Sequence, residues 1–171
     1  MDKTRREFLK DSALGAAMVA VLGYEATGSK VCWAALDPMG IKVGGCDWSL
    51  GKEGDPASFQ VAKAAGLDGV EVSCGRGKDK LPISDPERQK KNLDEALKHG
   101  LAIPSTCLEI LHRDGLKDHA DAPKWVKEAI EPTRVQGAKV ILLPFFGKQS
   151  IEKRSEQEAV ADRLKPIAPE A

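Results

Sequence analysis

The chain has 171 residues, 42% of them hydrophobic, and its 26 Lys plus Arg balance 26 Asp plus Glu for a formal net charge of zero at neutral pH. With no run of one sign, this balance argues against nucleic acid or an anionic membrane surface as a partner. The length suits one ordinary domain once a leader is set aside.

The leader comes first. Arg5-Arg6 is followed by Phe8-Leu9 and then by the Ala-rich apolar stretch from Ala13 to Gly23. Basic, apolar and small-residue zones in that order read as a twin-arginine export signal, with residues 1–35 as signal peptide and linker. The apolar run of about ten residues is too short to cross a hydrocarbon core of ~30 Å, so no stable membrane span is expected. The partner expected for this segment is the twin-arginine translocation machinery and the destination the periplasm; the competing reading is a basic, amphipathic helix of a cytosolic protein. Ala26-Thr27-Gly28 offers small residues for cleavage.

From Ile41 onward short apolar runs alternate with amphipathic stretches. Residues 41–46 predict a first strand, and Asp55-Pro56 opens a helix whose apolar face is Phe59, Ala62 and Ala65, with Gly66 as its stop. Residues 69–73 predict a second strand. Asp85-Pro86-Glu87 opens a second helix with Leu93, Ala96 and Leu97 as its buried stripe and Gly100 as its stop. Residues 101–107 predict a third strand. Pro123 starts a third helix carrying Trp125, Val126, Ala129 and Ile130, which Pro132 is expected to kink or split. Residues 139–144 predict a fourth strand, and a fourth helix begins at Glu156. Strands recurring every 30 to 38 residues or so match right-handed βα units around a parallel sheet, as an open doubly wound sheet or a (β/α)8 barrel. No Gly-x-Gly-x-x-Gly loop opens a helix, which disfavours a dinucleotide-binding sheet.

Three segments carry a family resemblance: Cys46-Asp47-Trp48-Ser49-Leu50-Gly51, the run from Phe59 to Ser73 with Ala65-Gly66-Leu67-Asp68-Gly69-Val70-Glu71-Val72 at its heart, and Gly137 to Gly147. Together they resemble sugar phosphate isomerase/epimerase proteins of the xylose-isomerase-like TIM-barrel superfamily, over residues 41–171. The resemblance implies a metal-dependent (Mn2+, Mg2+ or Zn2+) enzyme acting on a small carbohydrate. Its divalent-metal ligands (two Glu, an Asp and a His) come mainly from strands five to eight. A whole barrel takes about 250 residues, and only about four βα units are present. The expectation is therefore an α/β half-barrel, inactive alone and without the family's metal.

In such a barrel the active face lies at the C-terminal ends of the strands. That places Asp47 and Trp48 after strand one, Glu71 and Ser73 on strand two, Cys107, Glu109 and His112 at and after strand three, and Phe145 and Phe146 after strand four. Glu71 and His112 are the candidate catalytic groups, since proton transfer between carbons needs a carboxylate or imidazole base. Asp47, Trp48, Glu109, Phe145 and Phe146 are the candidate substrate contacts, aromatic rings stacking on C–H faces and polar groups reading hydroxyls. The plainer readings stay open: Asp47 as a loop cap, Trp48 and Phe145-Phe146 as core, Glu109 and His112 as solvated loop residues. Cys46, Cys74 and Cys107 fall at the ends of three successive strands, either as buried reduced thiols or with one pair as a disulfide. A second class of function is a carbohydrate-binding or interaction module that self-associates, as a homodimer for instance, because four strands leave two edges open. A DNA-repair endonuclease on the same barrel is weakened by the neutral charge and the export signal.

Overall fold

The computed structural model describes residues 40–171; the expected export signal with Arg5, Arg6, Phe8 and Leu9, and its linker, lie outside the described residues. Four strands, β1 (Gly44–Cys46), β2 (Gly69–Ser73), β3 (Thr106–Cys107) and β4 (Ile141–Leu142), run parallel and lie side by side in chain order. Helices α1 (Ser58–Ala64), α2 (Pro86–His99), α3 (Ala122–Val135) and α4 (Arg154–Leu164) alternate with them. Lys42–Ala171 form one compact unit. This is the α/β architecture expected, with the sequential parallel order of half a (β/α)8 barrel.

The period-two alternation of β2 sorts the two faces of the sheet. Val70 and Val72 join the core built with Phe59 and Ala62 of α1 and Trp125, Val126 and Ala129 of α3, whereas Glu71 between them points the other way. On β3 the helix-side residue is Thr106, whose Oγ1 lies 2.7 Å from Thr133 Oγ1 on α3. Trp125 is fully buried and its indole N–H donates to Lys78 O at 2.9 Å, so α3 also anchors the loop before α2.

Several elements depart from expectation for identifiable reasons. The third strand is cut to two residues because Pro104, which has no N–H, interrupts the run; Ala102 keeps an isolated bridge to Gly69. That bridge is close: a Cβ at Gly69 would sit 2.9 Å from Ala102 O. The first strand begins only at Gly44, since the Val43 N–H is taken at 2.9 Å by the Asp68 carboxylate. The first helix starts at Ser58, after a turn in which Asp55 Oδ1 accepts the Ala57 N–H, and it leaves Ala65 exposed.

The buried stripe of α2 is also different. Asn92 and Ala96 face inward, while Leu93 and Leu97 are exposed, Leu97 at 83%. Polar anchors set the rotation of this helix: Arg88 donates to Ser73 O, Gln89 donates to Ile83 O, and Gln136 donates to Gln89 O. Those contacts turn the 88–92–96 row toward the sheet in place of the leucines. In α3 the chain passes through Pro132 without splitting. The proline lies in the last turn, and Thr133 Oγ1 donates to Ala129 O at 2.7 Å, which supports the backbone there. At the start of α4, Glu156 accepts the N–H groups of Glu152 and Lys153 and the Lys117 ammonium; these hydrogen bonds hold its carboxyl well below the usual range, at about 2.

Trp125→Ala should destabilise the chain by about 3–5 kcal/mol, the usual cost of removing a buried aromatic. Leu97→Lys should change stability by less than about 0.5 kcal/mol, as exposed positions do. Urea-unfolding midpoints of the two variants check both, and a large loss from Leu97→Lys would contradict the rotation of α2.

Candidate functional site

Strand register builds the face of the sheet opposite the helices. Cys46 pairs with Glu71, and Ser105 Oγ donates to Glu71 Oε2 at 2.6 Å, which places Cys46, Glu71 and Ser105 in one row. The next row toward the strand ends holds Ser73, Cys107 and Leu142. In a closed barrel this face would be the interior.

Asp47, just past β1, is buried and accepts Ser73 Oγ at 2.6 Å, the Ser73 N–H at 2.9 Å and the Gly54 N–H at 2.9 Å. Both of its oxygens are engaged within the protein. Its role here is to tie the end of β1 to the end of β2 and to the loop before α1. The neighbouring Trp48 is left half-buried at the mouth.

Three rings converge there from three loops. Trp48 and His112 have centroids 4.9 Å apart, and His112 and Phe146 5.4 Å apart. His112 closes a single helical turn, Glu109–His112, that follows β3 at once, and this fixes the imidazole between the other two rings. Burial first, and then the positive charge of Arg76, lower the His112 pKa, with Glu53 opposing; the imidazole is therefore neutral at pH 7. Its Nε2 is buried with no hydrogen-bond partner among the described residues. Arg76 and Glu53 form a two-pronged ion pair, at 2.8 and 3.2 Å, near this ring. Beside the rings an open cleft of about 470 Å³ is lined by His112, Arg113, Phe146, Gly147, Lys148 and Gln149. Gln149 Nε2 donates to Arg113 O at 3.0 Å, joining the loops after β3 and β4.

The remaining candidates are set apart from the stack. Phe145 packs against the core, whereas Phe146, one residue on, is 55% exposed. Glu71 lies on the inward face of β2 with Ser105. Glu109 is fully buried: Oε1 accepts the Gly75 N–H at 2.7 Å and Oε2 has no partner among the described residues. Burial chiefly, with the negative charges of Asp47 and Glu53, pushes its carboxyl up to about 7 against two backbone hydrogen bonds that pull it down.

Ser105 and the Glu53–Arg76 pair complete the site and were not among the sequence candidates, whereas Ser73 was placed on the active face with Glu71 but given no role. The two serines share the parity of Glu71 and Cys107 along their strands, a signal that was available. The ion pair joins two loops across the fold and left none.

No protein-family model matches the chain. No curated protein matches it either. Among solved structures it is similar to the apo crystal structure of 3-keto-D-glucoside 4-epimerase, YcjR, from E. coli, with a TM-score of 0.43 and 17% identity over 67% of this chain and 45% of that one. The chain thus spans less than half the length of that enzyme.

A divalent ion of the Mn2+ or Mg2+ kind needs several oxygens converging on one point. Asp47 has both oxygens engaged, Glu71 accepts from Ser105, and Glu109 is buried on Gly75. Among the described residues no three or more His, Cys, Asp or Glu side chains are grouped to hold a metal ion. The donors present do not fit the ion that the family resemblance implies.

Glu109 gives a pH prediction with a definite sign. Its carboxyl titrates near 7 when folded and near 4.5 when unfolded, so between those values the unfolded chain releases a proton that the native chain keeps. Stability therefore falls as pH rises through this window, by about 3 kcal/mol, and levels off above it. Glu109→Gln should stabilise the chain at pH 8 and leave it nearly unchanged at pH 4, as read from the difference in melting temperature between variant and parent across that range. A constant difference at every pH would refute it.

Proposed function

We propose that this chain supplies the N-terminal half of an exported, carbohydrate-directed isomerase or epimerase site, which binds a sugar and needs further strands for turnover. The observation that carries this reading is the Trp48–His112–Phe146 stack at the C-terminal ends of the strands. Flat rings exposed at a mouth suit the C–H faces of a pyranose, and a neutral imidazole among them can accept a hydrogen bond from a hydroxyl. Glu71, held by Ser105, presents a carboxylate on the inward face, where it can orient a hydroxyl or act as base in the complete site. Asp47 acts by placing Trp48. Export by the twin-arginine pathway to the periplasm, and the divalent metal of the complete enzyme, belong to this proposal.

A second reading, the self-associating module, draws on different observations. Among the described residues β1 and β4 are the two edge strands, Val43 and Val140 just before them are 55% and 57% exposed, and an apolar groove of about 620 Å³ runs between α3, β4 and the C-terminal residues. A discrete dimer by light scattering would favour it.

Saturation-transfer NMR on the full chain with free hexoses tests the first reading. Transfer should reach the sugar C–H protons, and Trp48→Ala or Phe146→Ala should weaken binding roughly two- to tenfold, in keeping with about 0.5–1.5 kcal/mol per ring contact. No isomerised product should accumulate. Absence of transfer to any hexose, or turnover by the chain alone, would overturn the proposal.

A further inference from the structure

The cleft beside the ring stack carries charge that the functional reading leaves unused. It has a volume of about 470 Å³, and its lining combines His112 and Phe146 of the stack with Arg113 and Lys148 and includes no Asp or Glu. Both cations are exposed, and neither has an ion-pair partner among the described residues. The acids around them are already committed. Asp114, next to Arg113, meets Lys78 at 2.9 Å and His119 at 3.8 Å, and Glu53 is held by Arg76. In a chain whose formal net charge is zero, the cleft is a local excess of positive charge. The fold fixes that excess in place. Gln149, 8% exposed, donates from Nε2 to Arg113 O at 3.0 Å, so the backbone that carries Arg113 is tied to the turn that carries Lys148. Like charges kept at one opening repel each other, and an anion between them relieves the repulsion.

The surroundings decide which anion. Phosphate sites are commonly cradled by backbone N–H groups at a helix N-terminus or in a nest, and those of (β/α)8 barrels come from the loops after strands seven and eight. Here the loops are those after β3 and β4, and the Gln149 and Ser150 N–H groups are spent on Phe146 O at 3.0 Å and Gly147 O at 3.1 Å. Recognition falls to the side chains. The flat fork of a guanidinium matches the two oxygens of a carboxylate. In a hexuronic acid that carboxylate is bonded directly to a ring carbon and lies at the edge of the pyranose. A pyranose resting its C–H face on His112 and Phe146 presents such a group sideways, toward the cleft that the same two residues line.

We infer that the sugar this site takes is a hexuronate, whose carboxylate is held by Arg113 and Lys148. The inference rests on the sugar-binding reading above and narrows it from hexoses at large to acidic ones.

NMR titration of the full chain with methyl glucuronide and methyl glucoside, which differ only at C6, tests it. The glucuronide should bind roughly five- to twentyfold more tightly at low ionic strength, the combined effect of two exposed charge contacts. That advantage should shrink between about 20 and about 300 mM NaCl, because exposed charges are screened. Arg113→Gln and Lys148→Gln should each cut it roughly two- to fivefold, and the double variant should bring the glucuronide down to the level of the glucoside. Both side chains are exposed, so the substitutions leave the packing alone. Lys91→Gln, which removes the same charge from the exposed surface of α2, should leave the advantage as it is. Glucose 6-phosphate and acetate should both bind more weakly than the glucuronide. Equal affinity for glucuronide and glucoside would overturn the inference and leave sugar binding standing, whereas binding of neither would overturn both. Tighter binding of glucose 6-phosphate, acetate binding as tight as that of the glucuronide, or an advantage that survives in the double variant would each overturn the carboxylate assignment.

Discussion

The mouth of the fold depends on the carboxylate of Asp47, which gathers two donors of Ser73 and one of Gly54 onto two oxygens. A buried carboxylate is tolerable only when it is fully hydrogen-bonded, so these donors and the acid require one another. The consequence is geometric. The end of β1 is fixed against the end of β2, the chain turns sharply back toward α1, and Trp48, the next residue, projects over the strand ends. Arg88 works from below: its guanidinium reaches Ser73 O and occupies the space that a side chain at Gly54 would need. α2, β2 and the loop before α1 are joined through one polar cluster.

Glu109 has the opposite character within a few residues of the same place. Asp47 takes its hydrogen bonds on both oxygens; Glu109 leaves one oxygen bare in an apolar setting. Two buried carboxyls of one sign are thus divided in role by the supply of backbone N–H groups. His112, the last residue of the same short turn, is held toward its neutral form by burial and by Arg76. The end of β3 therefore gathers groups that lie near their protonation midpoints or in their uncharged forms, while the fixed charges of Glu53 and Arg76 stay at the rim.

The sequence made the repeating βα plan legible because Gly and Asp-Pro signals sit at unit boundaries and because β2 alternates cleanly about Glu71. The bounds of β2 follow directly from that alternation. Failures came where a polar contact from elsewhere in the fold overrode local pattern. Leu93 and Leu97 look like a buried stripe until Arg88, Gln89 and Gln136 fix the helix rotation. β3 is short because Pro104 breaks a run whose hydropathy alone favours a strand, and Pro132 is harmless because it falls in a final turn. At the site, Trp48, His112 and Phe146 could be named from their places after strands, but their stacking could not, since three loops must first be brought together. Asp47 was recognisable as important at the mouth; that its work is internal depends on donors 7 and 26 residues away.

The latch between the loops after β3 and β4 has one more consequence. Gln149 reaches Arg113 O by passing directly over Gly115, where even a methyl group would lie 1.8 Å from Gln149 Oε1. A side chain gained at 115 would therefore push the flexible Gln149 side chain aside and cost its hydrogen bond to Arg113 O. The loops after β3 and β4, which carry His112 and Phe146, would then lose this tie.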